Sequence, residues 1–323
     1  MNGSVDAVIT VTDQQDNLSE VLKSLRNQTI SYKNLIIAVR TGLLEEAVLK
    51  ELAAKYHART ILLDADYEGM FFNAGLKACT SDFVLFMDGS ASPMRNDLTA
   101  LLLEDMKEEY TAVSFGHLVS DFSAPTRSRA QQSFFYQEVS GDYSFRDIYK
   151  YGMRVFMHRN ACALYRRSAF EKTGVFENVC LSRPEYLWCA RALYQDLTIH
   201  YNADARVNYN LKRSLKAAFQ DSFDCGVLQA MYPQILGMTV QMTRIYDDRP
   251  YPILNVSMGE IYEDQRDYAV TTARKYGAVL PGPGLSFSCL LKKLGDRLGK
   301  YYHRLPLSFV RAFSSRREYW AVN

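Results

Sequence analysis

The sequence lacks three features that would narrow its function at once. Its 323 residues include six cysteines, scattered from position 79 to position 289 without a Cys-x-x-Cys pair. That spacing argues against a zinc site or a disulfide framework and favours reduced thiols in a cytosolic protein. The formal net charge is only +2, which gives no general attraction to nucleic acid. No window approaches the roughly 20 apolar residues of a transmembrane helix.

The N-terminus also lacks the marks of a secretory leader. The stretch MNGSVDAVITVTD has neither a basic segment nor a long apolar run, so we expect no signal peptide. Apolar residues are abundant, since 48% of the chain is hydrophobic and 13% is aromatic. This composition is typical of a globular protein with a sizeable core, and the length suits one large domain or one with a smaller companion.

Short apolar runs alternate with amphipathic segments over the first hundred residues. Four of these runs are predicted to be strands: residues 5–11, 34–39, 59–64 and 82–88. The segments that follow them are predicted to be helices: residues 16–28, 43–56, 70–79 and 97–109. This alternation predicts an α/β fold with a Rossmann-like, mostly parallel sheet and helices on both faces.

Polar side chains follow the predicted strands. In an open α/β sheet the ligand binds outside the carboxyl ends of the strands. The residues just beyond those ends are therefore candidates for contact with a nucleotide or a sugar donor: Thr12, Asp13, Arg40, Asp66 and Asp88.

The pattern is less regular after about residue 113. We predict, in order, a strand, a polar loop, a strand leading into a short helix, a helix and a pair of strands: residues 111–120, 123–133, 154–174, 184–195 and 197–210. Beyond about residue 211 the apolar spacing indicates helices. We therefore expect an α/β domain over residues 1–212 and a helical region over residues 213–323.

The stretch FMDGSASP places Asp88 at the end of the fourth predicted strand. A carboxylate there could hold a divalent cation against a diphosphate, with Ser90 assisting through water. Asp, Gly, Ser and Pro are also turn formers, so an ordinary turn is the alternative.

Two polar residues lie at the starts of predicted helices. Asn73 precedes Gly75 in the third helix, where a phosphate or a polar sugar would be well placed; capping and packing are the alternative. Glu185 begins the helix over residues 184–195, where it could act as a general base. The alternative for Glu185 is an acid favoured in the first turn by the helix dipole.

The order of these stretches resembles that of the inverting family 2 glycosyltransferases of the GT-A fold. The matching stretches are VDAVITVTDQQDNLSEVLKSLRNQT, NAGLKACTSDFVLFMDGSASP, ACALYRRSAFEKTGVFEN and PEYLWCARALYQ. Further on, FQDSFDCGVLQAMYP and KKLGDRLGKYYHRLPLSFVRAFSSRREYW are similar to the helical tail of bacterial rhamnosyltransferases. The resemblance therefore covers nearly the whole chain.

The chain departs from this family pattern on the donor side. Arg40 stands where members usually carry an Asp that contacts the nucleotide base. A carboxylate only accepts hydrogen bonds, whereas the arginine guanidinium only donates them. Arg40 could therefore bind a phosphate group rather than the base. The usual Asp-x-Asp metal motif is Asp88-Gly89-Ser90, which keeps only the first acid.

It also departs on the acceptor side. The usual acidic pair before the acceptor helix is Glu185-Tyr186, with one acid kept. The His that often follows the late strand and can bind the metal is replaced in VNYN by one of three residues: Asn208, Tyr209 or Asn210.

The resemblance implies a glycosyltransferase that moves a sugar, rhamnose, from a nucleotide-diphosphate donor to a lipid-linked or polysaccharide acceptor in cell-surface glycan synthesis. It implies that Glu185 is the base, that Asp88 and Ser90 hold Mg²⁺ or Mn²⁺, and that two aromatic residues shape the acceptor site: Tyr186 and Trp188. Trp188 is equally explained as a core residue. Because several motifs are eroded, the alternative is a catalytically degenerate relative that serves as a binding or scaffold subunit of a glycan assembly complex.

The C-terminal tail concentrates positive charge. Its eight basic residues face only Asp296 and Glu318: Lys292, Lys293, Arg297, Lys300, Arg304, Arg311, Arg316 and Arg317. The same segment has an apolar side: Leu290, Leu291, Leu294 and Leu298. Such a helix can lie on an anionic membrane, although a solvated face of an ordinary helix is the alternative. We therefore expect a cytoplasmic protein, peripheral at the inner face of the membrane, and the tail is compatible with a homodimer.

Overall fold

The computed structural model describes residues 3–13, 17–121, 124, 126–210, 214–232, 265–271, 274 and 283–322. The first part of the chain alternates strands and helices as predicted: β1 (Val5–Val11), α1 (Leu18–Arg26), β2 (Leu35–Arg40), α2 (Glu46–Lys55), β3 (Arg59–Leu63), α3 (Glu68–Ala78) and β4 (Phe83–Asp88). These four strands are parallel to one another, with β1 between β2 and β4. Their carboxyl ends therefore share one edge, where Thr10 lies opposite Asp88.

The second half of the sheet is built differently. Its elements are β5 (Ser92–Pro93), α4 (Leu98–Glu104), β6 (Thr111–Val119), α5 (Thr126–Phe135), β7 (Gly141–Tyr143), α6 (Ile148–Tyr151), β8 (Cys162–Arg166), α7 (Ala169–Thr173), α8 (Pro184–Tyr194) and β9 (Thr198–Asn208). The strand order is β3-β2-β1-β4-β8-β6-β9-β5, with β7 beside β9.

The sheet is mixed rather than parallel throughout. β8 runs antiparallel to both β4 and β6. This is possible because the chain leaves β6 and enters β8 at the same edge of the sheet, so no crossover is needed. The predicted α/β class is confirmed, and the parallel order holds for β1 to β4.

Two local predictions were wrong. The polar segment 123–133, expected to be a loop, contributes most of helix α5. The expected strand pair at 197–210 is the single strand β9, whose pairing with β6 shifts register between Gly116 and His117. At this shift Asn202 Oδ1 accepts hydrogen bonds from the N–H groups of Asp204 and Ala205, which explains why the sequence there resembles a turn.

A buried carboxylate connects the start of β1 to its neighbours. Asp6 has no exposed surface and accepts hydrogen bonds from Asn34 N (3.0 Å), Asn34 Nδ2 (2.8 Å), Thr80 N (2.7 Å) and Ser81 N (2.9 Å). Burial alone would raise the pKa of Asp6, but the hydrogen bonds from Ser81, Thr80 and Asn34 lower it overall. Asp6 therefore stays ionised and fixes the loops that lead into β2 and β4.

The described C-terminal residues are largely helical: α9 (Leu215–Met231), α10 (Pro283–Lys300), α11 (Leu307–Phe313) and α12 (Tyr319–Val322). No helix among the described residues is both long and apolar enough to cross a bilayer. The proposed boundary at 212/213 falls within residues 211–213, outside the described residues, and stays a prediction.

Helices α9 and α10 approach each other through glycines. A methyl group at Gly226 would overlap the carbonyl oxygen of Asp296, and one at Gly299 would overlap that of Phe223. At Gly295 the added carbon would be 2.6 Å from the Phe219 carbonyl oxygen. The two backbones are therefore in direct contact, which only residues without a Cβ permit.

Replacing Gly299 by Ala should destabilise the helical region by about 1–3 kcal/mol, because one backbone must move to admit the methyl group. Urea unfolding of the whole chain measures this change. Gly284→Ala is the matched control, since it lies in the same helix with nothing within 4 Å of the added carbon. Equal stability changes in the two variants would contradict the close contact of α9 with α10.

Candidate active site

A cleft of about 510 Å³ opens beyond the carboxyl end of β1. The sheet contributes Asp13 and the start of α3 contributes Glu68. The loop before α8, the helix α9 and the C-terminal tail supply the other walls: Cys180, Leu181, Ser182, Arg183, Pro184, Ser214, Ala217, Gln220, Asp221, Ser315 and Arg316. The C-terminal region thus forms a large part of this cleft.

Glu185 follows Pro184, which lines the cleft, but Glu185 itself is not part of the lining. It is in the first turn of α8, after Pro184 at the first helical position. Its side chain is buried, with only 2% of its surface exposed. Among the described residues, no hydrogen-bond partner reaches its Oε2 atom. A buried carboxylate oxygen without a partner is costly for stability, and it is available to accept a proton.

The surroundings of Glu185 make it a stronger base than an ordinary glutamate. Burial raises the pKa of Glu185 to about 8, and the negative charge of Glu68 adds to the rise. Arg183 acts in the opposite direction. Glu185 is therefore largely protonated at neutral pH and ionised above about pH 8.

A neutral polar network lies next to Glu185. His158 Nε2 is 2.5 Å from the hydroxyl of Tyr165, which donates to Asn160 Oδ1 at 2.6 Å. On the other side of the ring, His158 Nδ1 is 3.0 Å from Cys189 Sγ. Burial lowers the pKa of His158 to about 3, so the imidazole carries no charge. This network therefore supplies no cation to balance the carboxylate of Glu185.

The tail residue Arg316 is held at the cleft by a turn anchored on α9. Asp224 Oδ2 accepts hydrogen bonds from Ser315 N at 2.9 Å and Ser315 Oγ at 2.5 Å. Gln220 Nε2 donates to the carbonyl of Ser314 at 3.0 Å. Burial raises the pKa of Asp224 to about 6, against the opposing effect of the hydrogen bonds from Ser315 and Ser314.

At the end of β4, Asp88 and Ser90 form a tight turn. Asp88 Oδ1 accepts from Ser90 N at 2.8 Å and from Ser90 Oγ at 2.6 Å. The turn that the sequence allowed is thus present. It does not exclude a cation ligand, because Ser90 Oγ still has lone pairs after donating its proton to Asp88.

Three residues are candidates for the position of the family's histidine, and one of them lies close to this turn in the sheet. Asn208 pairs with Ser92 in the antiparallel β5–β9 ladder, and its buried Oδ1 has no partner among the described residues. Tyr209 is buried, and Asn210 exchanges two hydrogen bonds with Asp121. Asn208 is therefore the one with a buried, unpaired amide oxygen close to the turn.

The carboxylate of Asp88, the hydroxyl of Ser90 and the amide oxygen of Asn208 are oxygen ligands of the type that a hard cation prefers. Within the described residues, no group of three or more His, Cys, Asp or Glu could hold a metal ion. One carboxylate, one hydroxyl and one amide oxygen suit Mg²⁺ or Mn²⁺ only when substrate phosphates and water complete the coordination. The residues present fit a cation that arrives with its diphosphate.

Two predicted donor residues are engaged with each other. Arg40, at the end of β2, forms an ion pair with Asp66, and both side chains are more than a third exposed. Neither lines the 510 Å³ cleft, and Thr12 and Asp88 are also outside its lining. Their contact with a nucleotide stays a prediction.

Asn73 connects α3 to the segment after α7. Its Nδ2 donates to the Phe176 carbonyl and to Asn178 Oδ1, each at 2.7 Å, and its Oδ1 accepts from Phe176 N at 3.0 Å. Both ends of the amide are therefore used internally, in agreement with the packing alternative. A donor contact would require these hydrogen bonds to change.

The two predicted acceptor-side aromatics differ in position. Tyr186 is buried beneath Arg183, whose guanidinium carbon is 5.4 Å from the ring centre. Trp188 has no exposed surface and donates from Nε1 to the Gly174 carbonyl at 3.1 Å. It packs against Tyr165 and Phe170, so the structure assigns Trp188 to the core, the alternative that its sequence context left open.

Sequence reasoning did not identify four residues of the cleft: Glu68, Arg183, Asp221 and Arg316. Glu68 follows the third strand closely, so the rule that located Asp66 could have found it. Asp221 and Arg316 come from the helical region, far from the strand ends in sequence. No local signal connects them to Glu185.

Comparison with known proteins places these features in a family. The family model described as "Glycosyl transferase family 2" matches residues 6–174. The O-antigen chain rhamnosyltransferase RfbN of Salmonella typhimurium is 24% identical over 304 residues, which cover 93% of this chain and 90% of RfbN. The O-antigen chain rhamnosyltransferase WbaN of Salmonella anatum is 24% identical over 274 residues, covering 84% and 82%.

A solved structure agrees with the fold. The mannosyltransferase PcManGT from Pyrobaculum calidifontis, in complex with GDP-Man and Mn²⁺, superposes with a TM-score of 0.58 at 10% identity. The match covers 94% of this chain and 89% of that one. The likeness includes the C-terminal helices as well as the sheet, and it supports the predicted GT-A fold.

Proposed function

Because the chain belongs to glycosyl transferase family 2, we propose that its cleft transfers rhamnose from a nucleoside diphosphate donor to a hydroxyl of a lipid-linked or polysaccharide acceptor. The buried Oε2 of Glu185, which has no hydrogen-bond partner in the part of the chain that the structure describes, carries this proposal. The named activity of RfbN and WbaN, O-antigen chain rhamnosyl transfer, supports the choice of sugar and acceptor.

The proposed reaction is a single displacement. Glu185 takes the proton of the acceptor hydroxyl as its oxygen attacks the anomeric carbon of the donor. The bond from that carbon to the diphosphate oxygen breaks on the opposite face, and the configuration inverts. The products are the glycoside, the nucleoside diphosphate and a protonated Glu185. The raised pKa makes the ionised form of Glu185 a stronger base, and transfer should therefore increase with pH as this carboxyl group ionises towards about pH 8.

The leaving diphosphate needs a positive counter-charge. We propose that Asp88, Ser90 and Asn208 hold Mg²⁺ or Mn²⁺ together with the diphosphate oxygens. Such a cation would neutralise the charge that develops on the leaving group. The buried amide oxygen of Asn208 beside the Asp88 turn is the observation that supports this donor set.

We also propose that helix α10 lies on an anionic membrane surface. Its small residues face α9, while Phe287, Leu290 and Leu294 are 51%, 61% and 45% exposed. Lys293 and Arg297 are exposed in the same part of the helix. Apolar side chains flanked by cations suit a bilayer that contains acidic lipids. This location would bring the cleft to a lipid-linked acceptor.

Glu185→Gln should lower sugar transfer by about 10²- to 10⁴-fold while leaving donor binding intact, because only the proton acceptor is lost. Transfer is measured as release of nucleoside diphosphate from a panel of donors that includes rhamnose nucleotides, with lipid extract as the acceptor source; binding is measured by calorimetry. The exposed Glu171→Gln is the matched control. Unchanged turnover in Glu185→Gln would reject the base, and failure of the wild type to bind any donor would favour the scaffold alternative.

Asn208→Ala should raise the Mn²⁺ concentration needed for half-maximal binding of nucleoside diphosphate by about tenfold, and Asn208→Asp should lower it. The added carboxylate restores a second acid beside Asp88, which explains the opposite sign. Calorimetric titration of Mn²⁺ with the nucleoside diphosphate, after removal of metal by chelation, gives both values. Binding of the diphosphate that is independent of Mn²⁺ in all three proteins would reject the cation site.

The double variant Leu290→Ser, Leu294→Ser should bind vesicles containing acidic lipid about tenfold more weakly, because two apolar contacts with the bilayer are lost. Vesicle flotation measures the bound fraction, and added salt should weaken the binding of the wild type. Leu62→Ser is the control, since Leu62 is 55% exposed on β3. Equal flotation of the wild type and the double variant would rule out this membrane face.

A further inference from the structure

Arg183 adopts a backbone conformation that arginine rarely takes. Its φ of +56° lies in the left-handed region, which is unfavourable for a residue that carries a Cβ. The residue directly precedes α8 and is separated from Glu185 by Pro184 alone. Such strain persists when surrounding contacts hold the residue in place, and it is concentrated at functional sites.

The contacts that hold Arg183 come from helix α9. Its Nη2 forms an ion pair with Asp221, and its Nε donates to Cys225 Sγ at 3.3 Å. Asp221 and Cys225 are one helical turn apart, so both face Arg183 from the same side of α9. The arginine side chain is 9% exposed. The buried guanidinium is thus directed towards the C-terminal helical region.

Arg183 is also the cation nearest in sequence to the proposed base. The charged groups that act on Glu185 are Arg183, Glu68 from α3 and Asp221 from α9. The remaining ionisable neighbours are uncharged near neutral pH: Tyr165, Cys180, Tyr186 and Cys189. Among the described residues, one cation and two acids are therefore the charges that act on Glu185, in addition to the effect of its burial.

An arginine bonded directly to Glu185 would make it a poor base, because the guanidinium would stabilise the carboxylate and occupy its oxygens. The Oε2 atom of Glu185 lacks a partner among the described residues, whereas Nη2 of Arg183 is bonded to Asp221. Asp221 thus holds the guanidinium on α9 and leaves the carboxylate oxygen open.

We propose that Asp221 and Arg183 are positioning residues that control the basicity of Glu185, with Asp221 restraining an arginine that would otherwise neutralise the base. This inference rests on the proposed role of Glu185. It assigns a function in the reaction to α9, a helix outside the matched family region of residues 6–174.

The two halves of the ion pair should shift the titration of Glu185 in opposite directions. Arg183→Met removes the cation and should move the pKa of Glu185 upwards by about one pH unit. Asp221→Asn removes an acid and releases the arginine, and it should move the pKa downwards by a similar amount. In the double variant the pKa of Glu185 should lie between the values of the two single variants. Arg183→Lys is the control, because lysine keeps the positive charge and is equally disfavoured in the left-handed backbone conformation. It should change the pKa of Glu185 least.

Carbon-13 NMR of the glutamate side-chain carboxyls measures this pKa in the full chain, with Glu185→Gln to assign the signal. The pH profile of nucleoside diphosphate release is the second measurement. Its acidic limb should move to higher pH in Arg183→Met and to lower pH in Asp221→Asn. Thermal unfolding checks that each variant is folded, and Asp221→Asn alone remains decisive if Arg183→Met fails to fold.

Shifts of the same sign in both variants, or no shift in Asp221→Asn, would overturn the proposal. If the ion pair had only a structural role, both variants would be less active, but the pKa of Glu185 would not shift in opposite directions in the two. Failure of the proposed function gives a different result: the NMR shifts would still oppose each other, but Glu185→Gln would retain its turnover.

Discussion

The arrangement of the cleft depends on one costly feature, the buried carboxylate of Glu185. An acid in this position is stable only if nearby charge compensates it or if it holds a proton. Here the compensation is partial, because Arg183 is bonded to Asp221 and the network around His158 is neutral. The high pKa of Glu185 follows first from burial and then from the negative charge of Glu68, which Arg183 offsets only in part.

The helical C-terminal region is part of this site. Helix α10 holds α9 through a glycine-lined contact, and α9 in turn supplies Asp221 to the cleft. Asp224 on the same helix anchors the turn that carries Arg316. The predicted boundary separates two sequence patterns, but the cleft contains side chains from both regions.

At the proposed metal site, the chain carries neutral oxygens in place of an acid and a histidine of the family pattern. Ser90 stands where the family pattern has an acid, and Asn208 is one of the three residues that can correspond to its histidine. Neutral oxygens bind Mg²⁺ or Mn²⁺ more weakly than carboxylates do, so the diphosphate must contribute more of the coordination. A cation coordinated largely by the diphosphate would reconcile the loss of these family ligands with the proposed transfer reaction.

Much of the fold was predictable from the sequence, because the relevant signals are local. Apolar runs and helical spacing located β1 to β4 and their helices, and the rule for strand ends located Asp13 and Asp88. Glu185 was predicted from its place at a helix start and from the family resemblance. The helix α5 and the single strand β9 were missed, since polar residues and an Asn-centred turn obscure the underlying periodicity there.

Other properties were decided by tertiary structure, because they depend on groups that are distant in the sequence. Burial assigned Trp188 to the core, and pairing of β5 with β9 brought Asn208 to the Asp88 turn. The pKa of Glu185 depends on Glu68 and Asp221, which only packing brings together. The sequence by itself determined the family, the parallel first half of the sheet and the identity of the candidate base. Long-range packing determined the electrostatic surroundings of that base, since charge acts through space and not along the chain.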